Sequence, residues 1–219
     1  MQLDVFTLLP RAFAWLTEQR PVAAVLGEEL ELRLLNYRDY TPLGNGQVDD
    51  EPYGGGAGMV LRVDVVAAAL DAVYGGVPGH RVVALTPQGR QLTQEVVEER
   101  AQEERLTLLS ARFEGFDERV GIHLASDAIS IGPYVLSGGE LPAMVVLDAI
   151  VRRLPGALGS EESGLVESFS PELDGGLEYP QYTRPSEFRG WRVPDVLLSG
   201  DHRRIDEWRM EQSRLRSAP

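Results

Sequence analysis

Four segments of this chain hold residue types that could do chemistry. In VDDEPYGGGAGMVL (48–61), the adjacent carboxylates Asp49 and Asp50 precede Gly54, Gly55, Gly56 and Gly58. Such a run permits positive φ and close backbone approach to a ligand, or simply a flexible loop. It is not a phosphate loop, because no Lys-Ser/Thr follows. In LTPQGR (85–90), Pro87 and Gly89 enforce a turn, and Arg90 could meet an anion or an acid of the following helix. In ARFEGFDERVG (111–121), Glu114 and Asp117 stand either side of Gly115, between Arg112 and Arg119. Those acids could hold a hydroxyl, an amine or a metal-bound water, or the arginines could close the segment into a salt-linked loop. In AISIGPYVLSGGELPA (128–143), an apolar run ends at Gly132, and Gly138-Gly139 lead into Glu140 and Pro142. Backbone donors and acceptors beside an apolar patch suit an adenine ring, whose edge is read by main chain and whose face needs burial. A plain strand–turn–helix has the same pattern.

A fifth stretch, GLEYPQYTRPSEFRGWRVPDVLLSG (176–200), interleaves Tyr179, Tyr182, Phe188 and Trp191 with Arg184, Arg189 and Arg192. That mixture suits base stacking plus phosphate contact, or an arm that packs on a neighbour. Its three prolines predict a rigid rather than helical segment. His80, His123 and His202 are far apart and lack metal-ligand spacing, so no metal site is expected. No cysteine is present, which excludes a thiol nucleophile, a disulfide framework and thiolate metal sites. All 21 basic residues are arginine, which removes Schiff-base lysine chemistry.

These motifs need elements to hold them. LDVFTLL (3–9), LELRLLNYR (30–38), HRVVALTP (80–87), RLTLLSARF (105–113) and AISIG (128–132) read as strands, the third stopped by Pro87. Helices are expected around 11–19, over 64–74 with Asp64 as cap, over 93–103 with Thr93 as cap, and over 141–154. Pro142 fits the first turn of the last of these, and Pro155-Gly156 end it. Short strands alternating with such helices predict an α/β domain with a mainly parallel sheet. Ligands in such sheets bind beyond the carboxyl ends of the strands, where the four motifs fall. Residues 201–216 read as a terminal amphipathic helix with an arginine-rich face.

The 219 residues suit one mid-sized domain, or a domain with a smaller one attached, and the net charge is −13. Residues 1–150 hold 11 Arg and 22 acids, whereas 151–219 hold 10 Arg and 12 acids. A chain this acidic repels nucleic acid on average. The run 156–176, rich in Gly, Ser, Pro and acids, reads as a linker. No apolar stretch approaches a membrane span, and MQLDVFTLLP lacks the basic start of a signal peptide, so a cytoplasmic protein is expected.

Taken in order, VDDEPYGGGAGMVL, LTPQGR, RFEGFDERV, SIGPYVLSGGELPA, RRLPGALG, LEYPQYTRPSEFRGWRVPDVLLSGDH and IDEWRMEQSRLR resemble the bacterial tRNA (guanine-N1) methyltransferases of the SPOUT class. The resemblance covers nearly the whole chain. It implies an α/β SPOUT domain with a deep C-terminal trefoil knot, over 1–160, then a flexible linker over 161–176. A small, mainly helical, tRNA-binding domain would follow over 177–219. It also implies a homodimer that binds S-adenosyl-L-methionine bent into the knot and takes tRNA as substrate. A magnesium requirement rests wholly on the resemblance. The chain length implies an abbreviated terminal helical region.

Carried over by position, Thr86, Pro87 and Gly89 would line one wall of the cofactor site. Ala111 and Glu114 would stand on the cofactor side. Ile131, Gly132, Pro133, Tyr134, Val135 and Leu136 would surround the adenine, with Gly138 and Gly139 behind. Arg152 matches an arginine placed at the guanine, and Glu167, in VESFS, matches the catalytic acid. Four positions depart from the family pattern: Glu167 for aspartate, Ala111 for glycine, Pro133 for an acid and Ala57 for proline. The longer Glu167 side chain shifts its carboxylate by about 1 Å, in a site where placement governs rate. The implied chemistry is methyl transfer to guanine N1, just 3′ of the anticodon, with Glu167 as general base and Arg152 steadying charge at O6. The alternatives are another SPOUT RNA methyltransferase, with a different base or ribose as target, and a non-catalytic RNA-binding module.

Overall fold

The apolar runs at 3–8, 82–85 and 106–110 form strands buried on both faces, the condition under which a parallel sheet is stable. In the computed structural model, which describes residues 1–159 and 167–218, the chain divides into two compact units, Met1–Ala157 and Leu158–Pro219. The first unit contains, in chain order, β1 (Gln2–Thr7), α1 (Ala14–Glu18), α2 (Arg20–Val25), β2 (Glu31–Asn36), β3 (Asp49–Asp50), β4 (Val60–Leu61) and α3 (Val63–Tyr74). It continues with β5 (Arg81–Gln91), α4 (Gln94–Ala101), β6 (Arg105–Ser110), α5 (Glu118–His123), β7 (Asp127–Ser130) and α6 (Glu140–Val151). Five strands pair in the order β2-β1-β6-β5-β7, all parallel. This is an α/β fold with a central parallel sheet.

Side-chain alternation along β1 divides the core in two. Leu3 and Val5 join α2, α4 and α6 on one face, through Val22, Val96, Val146 and Leu147. Phe6 joins α3 and α5 on the other, through Val65, Leu70 and Val120. Asp4 shares the Phe6 face and is fully buried. It is held by a fork of two 2.6 Å hydrogen bonds from Arg33, by the Tyr74 hydroxyl at 2.6 Å and by Arg105 at 3.4 Å.

Three local expectations change. Helix α3 starts at Val63 with Arg62 as its cap, and Asp64 stands in the first turn, forked to Arg62 at 3.0 and 2.8 Å. The strand expected to stop at Pro87 runs on to Gln91, for the reason given below. The helix expected over 11–19 is a short 3-10 turn (Pro10–Phe13) followed by α1, and Pro21 then opens α2. Thr93 does cap α4, its hydroxyl accepting from Val96 N at 3.4 Å.

The second unit, among its described residues, contains a hairpin of β8 (Glu187–Phe188) and β9 (Trp191–Arg192), then α7 (Asp195–Leu198) and α8 (His202–Ser217). The stretch read as rigid and non-helical therefore carries one short helix, begun just after Pro194. Asp201 caps α8 by accepting from Arg204 N at 3.2 Å. The strand-like segment before the hairpin packs along α8. Ser213 Oγ donates to Leu177 O, and Leu177 N donates to Ser217 Oγ, both at 2.7 Å. Part of the expected linker, 160–166, lies outside the described residues. Its described part includes a 3-10 turn, Pro171–Leu173, with Ser170 and Leu173 buried. Among the described residues, no helix is long and apolar enough to cross a membrane.

Candidate functional site

The loops after β1, β5, β6 and β7 gather at the carboxyl edge of the sheet, the usual ligand edge of this architecture. On β5, Leu85 and Arg90 both pair with Ile129 of β7, so Thr86–Gly89 stand out of the ladder as a bulge. A bulge asks no ladder hydrogen bond of Pro87, which is why the strand survives it. Gly89 presses on β7: a Cβ there would lie 2.5 Å from Ile129 N. The Thr86 hydroxyl donates to the Gln88 side chain. Leu92 N donates to Ser130 O at 2.8 Å, closing the bulge back onto β7.

Beyond β7 the chain turns at Gly132, whose N–H donates to Ser130 Oγ at 3.3 Å. The Tyr134 hydroxyl donates to Ile131 O at 3.1 Å and its ring covers Gly132, where any Cβ would collide with it. Pro133, Tyr134 and Val135 are exposed, and Leu136 is half-buried. The chain then reaches the end of β6. Gly139 N donates to Ala111 O at 2.6 Å, and Ser110 Oγ donates to Gly139 O at 3.1 Å. A Cβ on Gly139 would lie 2.7 Å from Ser110 Cα, and one on Gly138 would lie 2.6 Å from Glu140 Oε2.

The glycine cluster and the acidic loop lie against each other. Glu114 N donates to Met59 O at 2.8 Å, Leu61 N donates to Gly115 O at 2.9 Å, and a Cβ on Gly58 would lie 2.6 Å from Glu114 Cγ. Phe113, at φ 61, swings the chain so that Glu114 meets Gly58. The exposed Glu114 carboxylate thus stands over the glycine cluster. Asp117 does something else: it caps α5 and forks to Arg119 at 2.8 and 2.6 Å. The Arg119 hydrogen bonds hold the Asp117 carboxyl below the usual range, and this half of the segment is the salt-linked loop. Among the described residues, no three His, Asp or Glu side chains lie together as a protein-built metal cage would require.

The structure thus brings Ala111, Gly138 and Gly139 into contact, seats Gly89 on β7, and folds Ile131, Gly132 and Tyr134 into one turn. Glu114 lies instead against Gly58 of the glycine cluster. Arg152 is elsewhere, at the carboxyl end of α6, about 20 Å along the helix from Gly139. Glu167 belongs to the second unit, where its carbonyl accepts from Ser170 N at 3.0 Å. Sequence reasoning missed the role of Glu140, Thr7 and Tyr37. Glu140 is 5% exposed; it accepts the Thr7 hydroxyl at 2.9 Å and an Arg112 guanidinium N–H at 3.2 Å. Tyr37 is fully buried, and burial, with the Glu140 charge adding, pushes its phenol well above the ordinary range. The available signal was a carboxylate directly after Gly-Gly at a helix start.

In the second unit, the hairpin stands clear of its own core. Trp191 is 70% exposed, edge-on to Phe188 at 5.9 Å, and Arg189 lies 5.1 Å over the Phe188 ring. Arg192 is near Glu187 and Asp195, each at 3.6 Å, but Arg184 and Arg189 have no ion pair among the described residues. A hollow of about 330 Å³ beside the hairpin is lined by Tyr182, Arg184, Val193 and Leu198, among others.

The fold and the site define an α/β protein with a central parallel sheet, glycine-backed turns at its carboxyl edge and an exposed hairpin of aromatic and arginine side chains in a second unit. Comparison with known proteins makes this specific. The model of the tRNA (guanine-1)-methyltransferase family, TrmD, matches residues 1–219, and the chain belongs to that family. It is 47% identical over 218 residues to the tRNA (guanine-N(1)-)-methyltransferase of Brevibacillus brevis, covering 99% of this chain and 88% of the relative. The Geobacillus kaustophilus enzyme of the same name is 48% identical over 218 residues, with the same coverage. That of Lactiplantibacillus plantarum is 48% identical over 219 residues, covering 99% of this chain and 87% of the relative.

Proposed function

We propose that this chain is a tRNA (guanine-N1) methyltransferase that modifies the guanine just 3′ of the anticodon, at position 37, with S-adenosyl-L-methionine as donor. The family match along the entire chain carries this reading. The carboxyl edge of the sheet fits the donor. Tyr134 and Val135 offer exposed apolar surface there, and the exposed Glu114 offers a carboxylate for an amino group. When bound, S-adenosyl-L-methionine supplies an electrophilic methyl group.

The protein's own residues must then make guanine N1 a nucleophile. Glu167 accepts the N1 proton as general base, and the Arg152 guanidinium steadies the negative charge that grows on O6. Cytoplasmic location and a homodimer belong to the same reading. Two observations support the dimer. Leu141 and Val145 are exposed on α6, and at steps of four, three and four Asp148 and Arg152 follow on the same stripe. Pairing that stripe antiparallel with a second copy would set each Arg152 beside the partner's Gly139 end, a helix length from its own. A trefoil knot is supported by the path after β7. That strand neighbours β5, yet Gly139 lands on the end of β6, so residues 131–138 cross the end of β5 where the 86–89 bulge stands. The second unit would grip tRNA, with the Phe188–Trp191 hairpin stacking on unpaired bases.

The test is methyl transfer to tRNA transcripts carrying guanine or adenine at position 37, with the product mapped. Transfer that needs the guanine and marks N1 is expected. Methylation of a ribose, or binding without transfer, would overturn the reading. Glu167→Gln should leave donor binding intact and abolish turnover, and Arg152→Ala should suppress turnover. Wild-type rates in either would remove that residue from the mechanism.

A further inference from the structure

Glu140 is a buried carboxylate in a place where packing alone does not ask for one. It is the first residue of α6 and almost wholly inaccessible. Burying a charge costs several kcal/mol before pairing, and an apolar side chain of similar size commonly serves stability as well or better. The position at a helix start offsets part of that cost, because the helix dipole favours negative charge there. The two carboxylate oxygens are divided between separate parts of the ligand edge. Oε1 accepts from Thr7, the last residue of β1, whose hydroxyl in turn accepts from Leu9 N at 3.0 Å. Oε2 accepts from Arg112, the second residue after β6.

Arg112 is the hinge of this arrangement. Its carbonyl accepts from Gly115 N at 3.1 Å, and between the two lie Phe113, at positive φ, and Glu114, over Gly58. The residue before Glu140 is also fastened to this loop, through Gly139 N and Ala111 O. One buried charge therefore ties the turn that backs the ligand edge to the loop that carries its exposed acid.

We propose that Glu140 is a positioning residue for the methyl-donor site. Its carboxylate latches Arg112 and so fixes the loop that carries Glu114 to the Gly138–Gly139 turn. The donor as occupant rests on the function proposed above; the latch itself does not.

Glu140→Gln keeps the volume and an acceptor for Thr7 but removes the charge that holds Arg112. Arg112→Gln cuts the same tie from its half-exposed end and avoids any loss of folding at the buried site. In the full-length protein without ligand, the amides of Glu114, Gly115 and Gly139 should exchange with deuterium about tenfold faster in either variant. The amides of Gly27 and Leu30, at the opposite edge of the sheet, should be unchanged. In steady-state transfer, the donor KM should rise about tenfold with kcat little altered, the pattern of lost ground-state binding. The double variant should be no worse than either single one, because the two residues act as a unit. Unchanged exchange at Glu114 and Gly139 would overturn the latch, whatever the enzyme does. Faster exchange with an unchanged donor KM would overturn the positioning role and leave a merely structural pair. A wild-type protein without methyl transfer would overturn the activity, while the exchange result would still decide the latch.

Discussion

At the scale of single residues, close backbone approach governs the carboxyl edge of the sheet. Gly139 lies so near Ser110 that a methyl group must push backbone, not a flexible side-chain end. Gly139→Ala should therefore cost about 1–3 kcal/mol in urea unfolding, the usual penalty of overpacking, and should weaken donor binding as well. A stability equal to wild type would mean that the β6 end yields freely. Asp4 makes a different residue-level prediction. Burial pushes its carboxyl up, but hydrogen bonds from Arg33 and Tyr74 and the charges of Arg33 and Arg105 outweigh this, leaving it below its ordinary 3.8. A depressed folded-state value means that the ionised carboxylate stabilises the fold above pH 3.8, and that this is lost as pH falls through the lower folded-state value. The stability gap between wild type and Asp4→Asn should thus be widest near neutrality and shrink below pH 3.8. Urea titrations across that range check it; a constant gap would contradict the ion cluster.

At the scale of elements, the helix ends separate local from tertiary control. Thr93 was legible as a cap because capping needs only a hydroxyl and an amide three residues away. Thr93→Ala should cost about 1 kcal/mol or less, given the 3.4 Å bond, measured by thermal unfolding. Asp64 had the same local credentials but lost the cap to Arg62, because the β3–β4 hairpin delivers the chain two residues earlier. Arg62 N donates to Val48 O at 3.0 Å, and the Arg62 guanidinium bridges Asp50 and Asp64. Pro87 was read as the end of β5 because proline lacks a ladder donor. The strand outlasts it only because β7 tolerates a bulge, which no property of 85–90 announces.

At the scale of the molecule, the charge of −13 and an RNA substrate are reconciled by distribution. Residues 184–216 hold 8 Arg and 6 acids, and the hairpin places Arg189 over the exposed Phe188 ring. Guanidinium forks suit phosphate and guanine, so binding should be arginine-driven. We expect tRNA affinity to fall steeply between low and physiological salt, as counterion release requires. A filter-binding series that barely responds to salt would contradict the arginine surface. Trp191→Ala should weaken tRNA binding by about 1–3 kcal/mol, the worth of one stacked base, and leave donor affinity alone. Loss of donor affinity in that variant would place the ring elsewhere in the mechanism.

The amino-acid sequence by itself determined the α/β class, the start of α6, the Thr93 cap and, through the order of its motifs, the family. Each of these depends on neighbours within a few residues or on a pattern repeated along the chain. Tertiary structure alone decided the order β2-β1-β6-β5-β7, the passage of β5 beyond Pro87 and the seating of Gly89 on β7. It alone decided that Asp117 is spent on Arg119 while Glu114 stays exposed. It also made Glu140 a buried tie, for Thr7 lies 133 residues before it and Arg112 lies 28 before it. Burial and partnership are properties of contacts between distant segments, and a carboxylate in the sequence carries no mark of which distant groups will enclose it.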